Sequence, residues 1–182
     1  MDGQNVLYDE YEVSSAIISL AETIDDHYGC EEPFIMLCIL KGGAYLTSSL
    51  LNLLPTKRNI RVEFIRSSND LVSEPLYQYP TAGSTNLYHI VKEQKVLIVD
   101  DICDTGKTIR SIASLLKQLD AKSVKSCVLL DKPFKRDSNA LGPDYVGITM
   151  TEDHWVYGCG LDNNEYERNL PFIYFSLGRK ND

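Results

Sequence analysis

VLIVDDICDTGKT, residues 96–108, decides how this chain folds. Val96, Leu97, Ile98 and Val99 form an unbroken apolar run, Asp100 and Asp101 follow it, and a short polar turn from Asp104 to Thr108 comes next. A continuous apolar run of strand length suits a parallel strand covered on both faces. Beyond the turn, Ile109, Ile112, Leu115, Leu116 and Leu119 recur at helical spacing. The stretch therefore predicts a buried strand, a loop and a helix. Its loop lies at a helix N-terminus, where unpaired N–H groups and the helix dipole favour an anion by about 0.3–2 kcal/mol.

The same unit recurs upstream. Phe34 to Leu40, FIMLCIL, reads as a second buried strand, which runs through Lys41, Gly42 and Gly43 into a helical pattern over 44–54. Before it, Ile17, Leu20, Ala21, Ile24 and Tyr28 predict an amphipathic helix over 12–28, with Ser14 or Ser15 near its start and Gly29 as its stop. Further strands are predicted at 61–66, 87–91, 126–130 and 145–150, with a polar turn over 131–142. Residues 67–84 carry no sustained period and read as a long loop of the kind that serves function. Strands alternating with helices imply an α/β fold: a mostly parallel twisted sheet with helices on both faces. Ligands of such sheets bind at the C-terminal ends of the strands, so residues 41–43, 100–108 and Lys132 are expected on one rim. The aromatic and acidic segment 155–182 is expected to pack near that rim or form a small lobe over it.

With 182 residues, 43% hydrophobic and 24% charged, the chain has the balance of one globular domain with a proper core, unlike a disordered or collagenous chain. A net charge of −8 argues against a broad nucleic-acid surface, though not against a local basic pocket. Cys30, Cys38, Cys103, Cys127 and Cys159 show neither a CxxC pair nor zinc spacing and read as reduced thiols. No apolar run approaches the roughly 18 residues that span a bilayer, and no basic leader precedes one, so a cytoplasmic location and no membrane partner are expected.

Gly106-Lys107-Thr108 invites a triphosphatase reading, but the first glycine of a G-x-x-x-x-G-K-T loop would fall on Asp101. There is no GxGxxG either. What remains is a loop for a monophosphate beside two carboxylates that repel phosphate. Adjacent acids accept hydrogen bonds from vicinal hydroxyls, and a ribose carrying a 5-phosphate meets both demands.

These residues closely resemble the phosphoribosyl pyrophosphate motif of the phosphoribosyltransferases. The rest is similar to the 6-oxopurine branch, the hypoxanthine-guanine phosphoribosyltransferases: LCILKGG at 37–43, LLDKPFKR at 129–136, DYVGITM at 144–150 and WVYGCGLDNNEYERNLPFI at 155–173, in the family's order. The resemblance implies the type I phosphoribosyltransferase fold in a single domain, 1–182, with a core over about 30–150 and a hood from the N-terminal residues and about 151–182. It implies transfer of a 5-phosphoribosyl group from phosphoribosyl pyrophosphate to hypoxanthine or guanine, with Mg²⁺, in a homodimer or homotetramer.

By the same resemblance, Asp104, Thr105, Gly106, Lys107 and Thr108 bind the 5-phosphate, the same groups capping the helix when no anion is there. Asp100 and Asp101 accept the ribose hydroxyls. Lys41 and Gly42 meet the pyrophosphate, beside a Leu40–Lys41 peptide that is often cis in the family, and Arg168 clamps the leaving group. Asp162 holds the metal and borders the purine site. Trp155 stacks on the purine, the backbone near Val156 meets its edge, and Lys132 donates to O6, which adenine lacks. Asp104 also takes the N7 proton. Its ordinary pKa near 3.9 suits that poorly, so either site closure raises it or Asp104 mainly orients the base.

One departure stands out. The family's mobile lid begins with a Ser-Tyr pair, where this chain has Ser68-Asn69. An altered lid bears on water exclusion and rate. It is also the one feature favouring an alternative: a regulator with this fold that senses a purine nucleotide or phosphoribosyl pyrophosphate without turnover.

Overall fold

The computed structural model describes residues 5–29, 32–55, 59–66, 87–137 and 140–176. In chain order these form β1 (Asn5–Tyr8), α1 (Glu10–Tyr28), β2 (Phe34–Leu40), α2 (Gly43–Leu53), β3 (Ile60–Arg66) and α3 (Leu87–Val91). There follow β4 (Lys95–Cys103), α4 (Lys107–Gln118), β5 (Ser123–Asp131), β6 (Tyr145–Thr149), β7 (Trp155–Tyr157) and β8 (Ile173–Ser176). Ser68-Asn69 and the long loop at 67–84 lie outside the described residues.

The larger sheet has strand order β3-β2-β4-β5-β6, with every pairing parallel. Period-two alternation divides its side chains between two cores. Phe34 and Met36 of β2 and Leu97 and Val99 of β4 pack with Ile17, Leu20 and Ile24 of α1 and Leu46 and Leu50 of α2. Ile35, Leu37, Val96 and Ile98 point the other way, against α3 and against Ile112 and Leu116 of α4. Both faces are covered, which is why β2 and β4 read as unbroken apolar runs. Each fully buried aliphatic side chain contributes roughly 1.5–3 kcal/mol. The expected α/β architecture is the one observed.

Two local expectations need correction. Residues 87–91 form a short helix and not a strand: Leu87, Ile90 and Val91, all buried, sit at i, i+3 and i+4 and share one helical face. Apolar content in so short a run does not separate the two periods. Apolar spacing starts α1 at residue 12, yet the helix begins at Glu10. Asp9 accepts from the Glu12 amide and Glu12 accepts from the Asp9 amide, both at 2.9 Å, a capping box that satisfies two orphan donors.

From β2 the chain goes out to β3 and returns to β4 on the other side of β2, so the loops after β2 and β4 diverge from neighbouring strands and leave a crevice. A second, antiparallel sheet, β1-β8-β7, joins the two ends of the described chain.

Candidate active site

β4 delivers Asp100 and Asp101 to the C-terminal rim of the parallel sheet. The Asp101 amide donates to Asp100 Oδ1 at 3.0 Å, and the Ile102 amide to Asp101 Oδ1 at 2.8 Å. Burial pushes the pKa of Asp100 well above the ordinary carboxylate range, and the neighbouring Asp101 charge pushes it further. Burial raises Asp101 as well, opposed by its hydrogen bonds and by the Arg168 charge. This is an acidic pair that calls for hydroxyl donors or a cation.

The chain then wraps a cleft of about 360 Å³ lined by residues 100–109 in unbroken order, so Asp104, Thr105, Gly106, Lys107 and Thr108 all face one space. α4 begins behind Gly106, which takes the left-handed conformation, with no side-chain cap. The cap residue itself contributes none, and of the expected loop side chains Thr105 reaches the helix end. The nearest approach is Thr105 Oγ1, which accepts from the Lys107 amide at 3.4 Å. A glycine at the cap position has no side chain to offer, so a cap can come only from a neighbouring residue or a ligand.

After β2, the Leu40–Lys41 peptide is cis. Gly42 backs directly onto Asp101: a Cβ there would come within 1.8 Å of Asp101 Oδ2. The loop after β7 presses on the same place. Gly160, at φ +100°, lies so close that a Cβ would meet Gly42 O at 2.7 Å and Tyr45 Cβ at 2.8 Å, so both backbone conformation and space require glycine. Arg168 donates to Gly160 O at 2.8 Å and pairs with Asp162 at 2.9 Å, while its Nε is buried with no partner among the described residues. Glu165 bridges Lys41 at 2.5 Å and Arg168 at 3.7 Å.

A second cleft, of about 280 Å³, is lined by Asp101, Ile102, Asp104, Lys132, Trp155, Val156, Leu161 and Asp162. Lys132 is 5% exposed, and its ammonium donates to His154 O at 2.7 Å and to Asp153 at 3.4 Å, with Asp104 at 3.8 Å. Lys135 and Lys132 hold the Asp153 carboxyl below its usual range. Trp155 is 38% exposed at the cleft, and Val156 beside it is buried.

The chain therefore brings together every site residue expected from sequence that lies within the described residues. It also supplies Glu165, Asp153 and the buried pair Asp131–Arg136, which sequence reasoning passed over. The last pair stands inside LLDKPFKR on either side of Lys132, so the segment was in view, but charge alone gave no sign that the two meet.

A family model for the phosphoribosyl transferase domain matches residues 3–164. The chain belongs to the phosphoribosyltransferase family. Its relatives place it in the hypoxanthine-guanine branch: the hypoxanthine-guanine phosphoribosyltransferase of Aquifex aeolicus is 34% identical over 178 residues, 93% of this chain and 92% of that enzyme. Among solved structures, the hypoxanthine-guanine phosphoribosyltransferase of Bacillus anthracis superimposes with a TM-score of 0.78 at 27% identity, covering 94% of this chain and 95% of that one. The hypoxanthine phosphoribosyltransferase of Trypanosoma cruzi gives 0.78 at 28%, covering 95% and 96%. In this phosphoribosyltransferase the two clefts adjoin, with Asp101, Ile102 and Asp104 lining both.

Proposed function

We propose that the protein transfers the 5-phosphoribosyl group of phosphoribosyl pyrophosphate to hypoxanthine and guanine, giving IMP and GMP with release of pyrophosphate, as a step of purine salvage. The observation that supports this reading is the wall shared by the two clefts, to which Asp104 contributes on both sides.

Asp104 to Thr108 hold the 5-phosphate through backbone amides and the hydroxyls of Thr105 and Thr108. Asp100 and Asp101 accept the ribose 2- and 3-hydroxyls. Lys41, the Gly42 backbone and Arg168 meet the pyrophosphate. Trp155 stacks on the purine, the Val156 backbone meets its edge, and Lys132 donates to O6. In the reaction the base nitrogen bonds to the anomeric carbon as the bond from that carbon to the pyrophosphate oxygen breaks, and pyrophosphate leaves with the electron pair. Asp104 accepts the N7 proton. Positioning and charge stabilisation carry most of the acceleration.

The residues also fit Mg²⁺. Asp101 and Asp162 both line the smaller cleft, and carboxylate oxygens are the donors this hard cation takes. Among the described residues no group of three or more His, Cys, Asp or Glu side chains could hold a metal, and Asp162 would be the residue to hold Mg²⁺. Bound there, the ion neutralises pyrophosphate charge.

Among the described residues no helix is long and apolar enough to cross a membrane. A cytoplasmic homodimer or homotetramer, with no nucleic-acid partner, completes the reading.

The test is an ultraviolet assay with Mg²⁺, phosphoribosyl pyrophosphate and, separately, hypoxanthine, guanine, xanthine and adenine. Nucleotide formation with the first two is expected. No turnover with any base, in protein that still binds nucleotide, sinks the enzyme reading in favour of a nucleotide-sensing regulator.

A further inference from the structure

β4 and β5 pair as far as Cys103 opposite Asp131, and there β4 leaves the sheet to form the loop. Asp131 is buried, and Arg136 returns to it across the 3-10 turn Pro133–Lys135. The guanidinium meets the carboxylate fork to fork: Nη1 donates to Oδ1 at 2.5 Å and Nη2 to Oδ2 at 2.8 Å, both side chains 7% exposed. That grip fixes the guanidinium plane. Nη1 also reaches Cys103 Sγ at 3.3 Å and Asp104 O at 3.4 Å, and the Arg136 stem lies 3.5 Å from the place a Gly106 Cβ would take. Arg136 lines neither cleft. It stands behind the loop.

The orientation of one peptide gives this contact its consequence. In a trans peptide the C=O and N–H point in opposite directions. A guanidinium behind the loop that holds Asp104 O therefore turns the Thr105 amide away from itself, toward the cleft that Thr105 lines. A second arginine repeats the device one peptide on: Arg110 Nη1 donates to Thr105 O at 2.9 Å, which turns the Gly106 amide the same way.

We propose that Arg136, anchored by Asp131, and Arg110 are positioning residues that together orient the amides of the 5-phosphate loop. This rests on the reading above that the loop holds the 5-phosphate. Because Lys132 precedes the same turn, Arg136 also fixes the spacing between the purine donor and the phosphate loop. Lysine cannot replace it, since a single ammonium lacks the fork that grips Asp131 and still reaches Asp104 O.

The experiment is steady-state kinetics on Arg136→Lys, Arg136→Ala, Arg110→Met and Thr108→Val, each with its Tm. Arg136→Lys and Arg110→Met are expected to raise KM for phosphoribosyl pyrophosphate by about tenfold, with KM for the base changed by less than about threefold. Added methylguanidinium is expected to restore part of the loss in Arg136→Ala. If the Arg136 variants do not fold, the exposed Arg110→Met decides the matter alone. Wild-type KM for phosphoribosyl pyrophosphate in folded Arg110→Met and Arg136→Lys, with Thr108→Val impaired, overturns the positioning role and leaves the loop's function standing. An unimpaired Thr108→Val overturns the phosphate reading and this proposal with it.

Discussion

Lys132 Nζ stands 3.8 Å from the nearer carboxylate oxygen of Asp104, across a cleft that also admits Trp155. The ammonium is nearly buried, and its one short bond, at 2.7 Å, goes to the carbonyl of His154. With His154 O and Asp153 each taking one of its three donors, the ammonium has a third for a ligand acceptor, and leaving a buried donor unmet costs about 1–3 kcal/mol.

Replacing that cation should therefore change what the enzyme accepts more than whether it folds. Lys132→Met is expected to lower kcat/KM for hypoxanthine and guanine by about 100-fold and to narrow the gap to adenine. Parallel assays on the three bases measure it. An unchanged preference for 6-oxopurines would remove Lys132 from base selection.

Asp104→Asn keeps the size and most hydrogen bonds of the side chain but cannot take up a proton. Nucleotide binding should persist while kcat falls by roughly 10²–10⁴-fold, the usual weight of a general base. Titration with IMP beside a turnover assay separates the two, and undiminished turnover would disprove the assignment.

Asp100, buried beside the partly buried Asp101, predicts a pH signature. Burial and the adjacent charge raise the folded pKa of Asp100, so the folded protein keeps a proton that the unfolded chain has released. The stability this contributes is full below the ordinary carboxylate range and is lost as pH rises through the raised folded value. Without added metal or substrate, Asp100→Asn should raise Tm at pH 8, with the gain fading as pH falls toward 4. In a chain of this size each kcal/mol is worth about 2–4 °C. A lower Tm for the variant across the whole range would contradict the account.

Gly42 is fixed by space. A Cβ there would meet Asp101 Oδ2 at 1.8 Å, so Gly42→Ala must displace the carboxylate. Overpacking of this kind costs about 1–3 kcal/mol, and we expect kcat/KM for phosphoribosyl pyrophosphate to fall by about 10-fold or more, since small misplacements at a reacting centre are amplified. Wild-type kinetics in Gly42→Ala would show that the two loops move independently.

Chelation should abolish turnover, and Mg²⁺ should restore it. Asp162→Asn is expected to raise the Mg²⁺ concentration needed for half-maximal rate, a titration that also tests whether its pairing with Arg168 yields to the ion. An unaltered Mg²⁺ requirement would exclude Asp162 as a ligand.

Local pattern carried much of the fold. FIMLCIL and VLIVDD declare buried parallel strands because every residue of such a strand faces one apolar layer or the other, and the helix after Lys107 shows its period in Ile109, Ile112 and Leu116. Motif order carried the family. Where the signal was too short to hold a period, as at Leu87–Val91, or lay in a cap outside the apolar repeat, as at Asp9, the sequence misled. What it could not contain is which distant groups meet. Asp131 and Arg136 are near in sequence but act together only because β5 ends where β4 turns away, and Lys41, Glu165 and Arg168 meet only because Gly160 lets one loop settle on another. Periodicity is a property of one element in its own neighbourhood, so the residues alone determined the long strands and helices whose period they hold. Contacts between loops depend on how separate elements stack, and only the tertiary structure decided those.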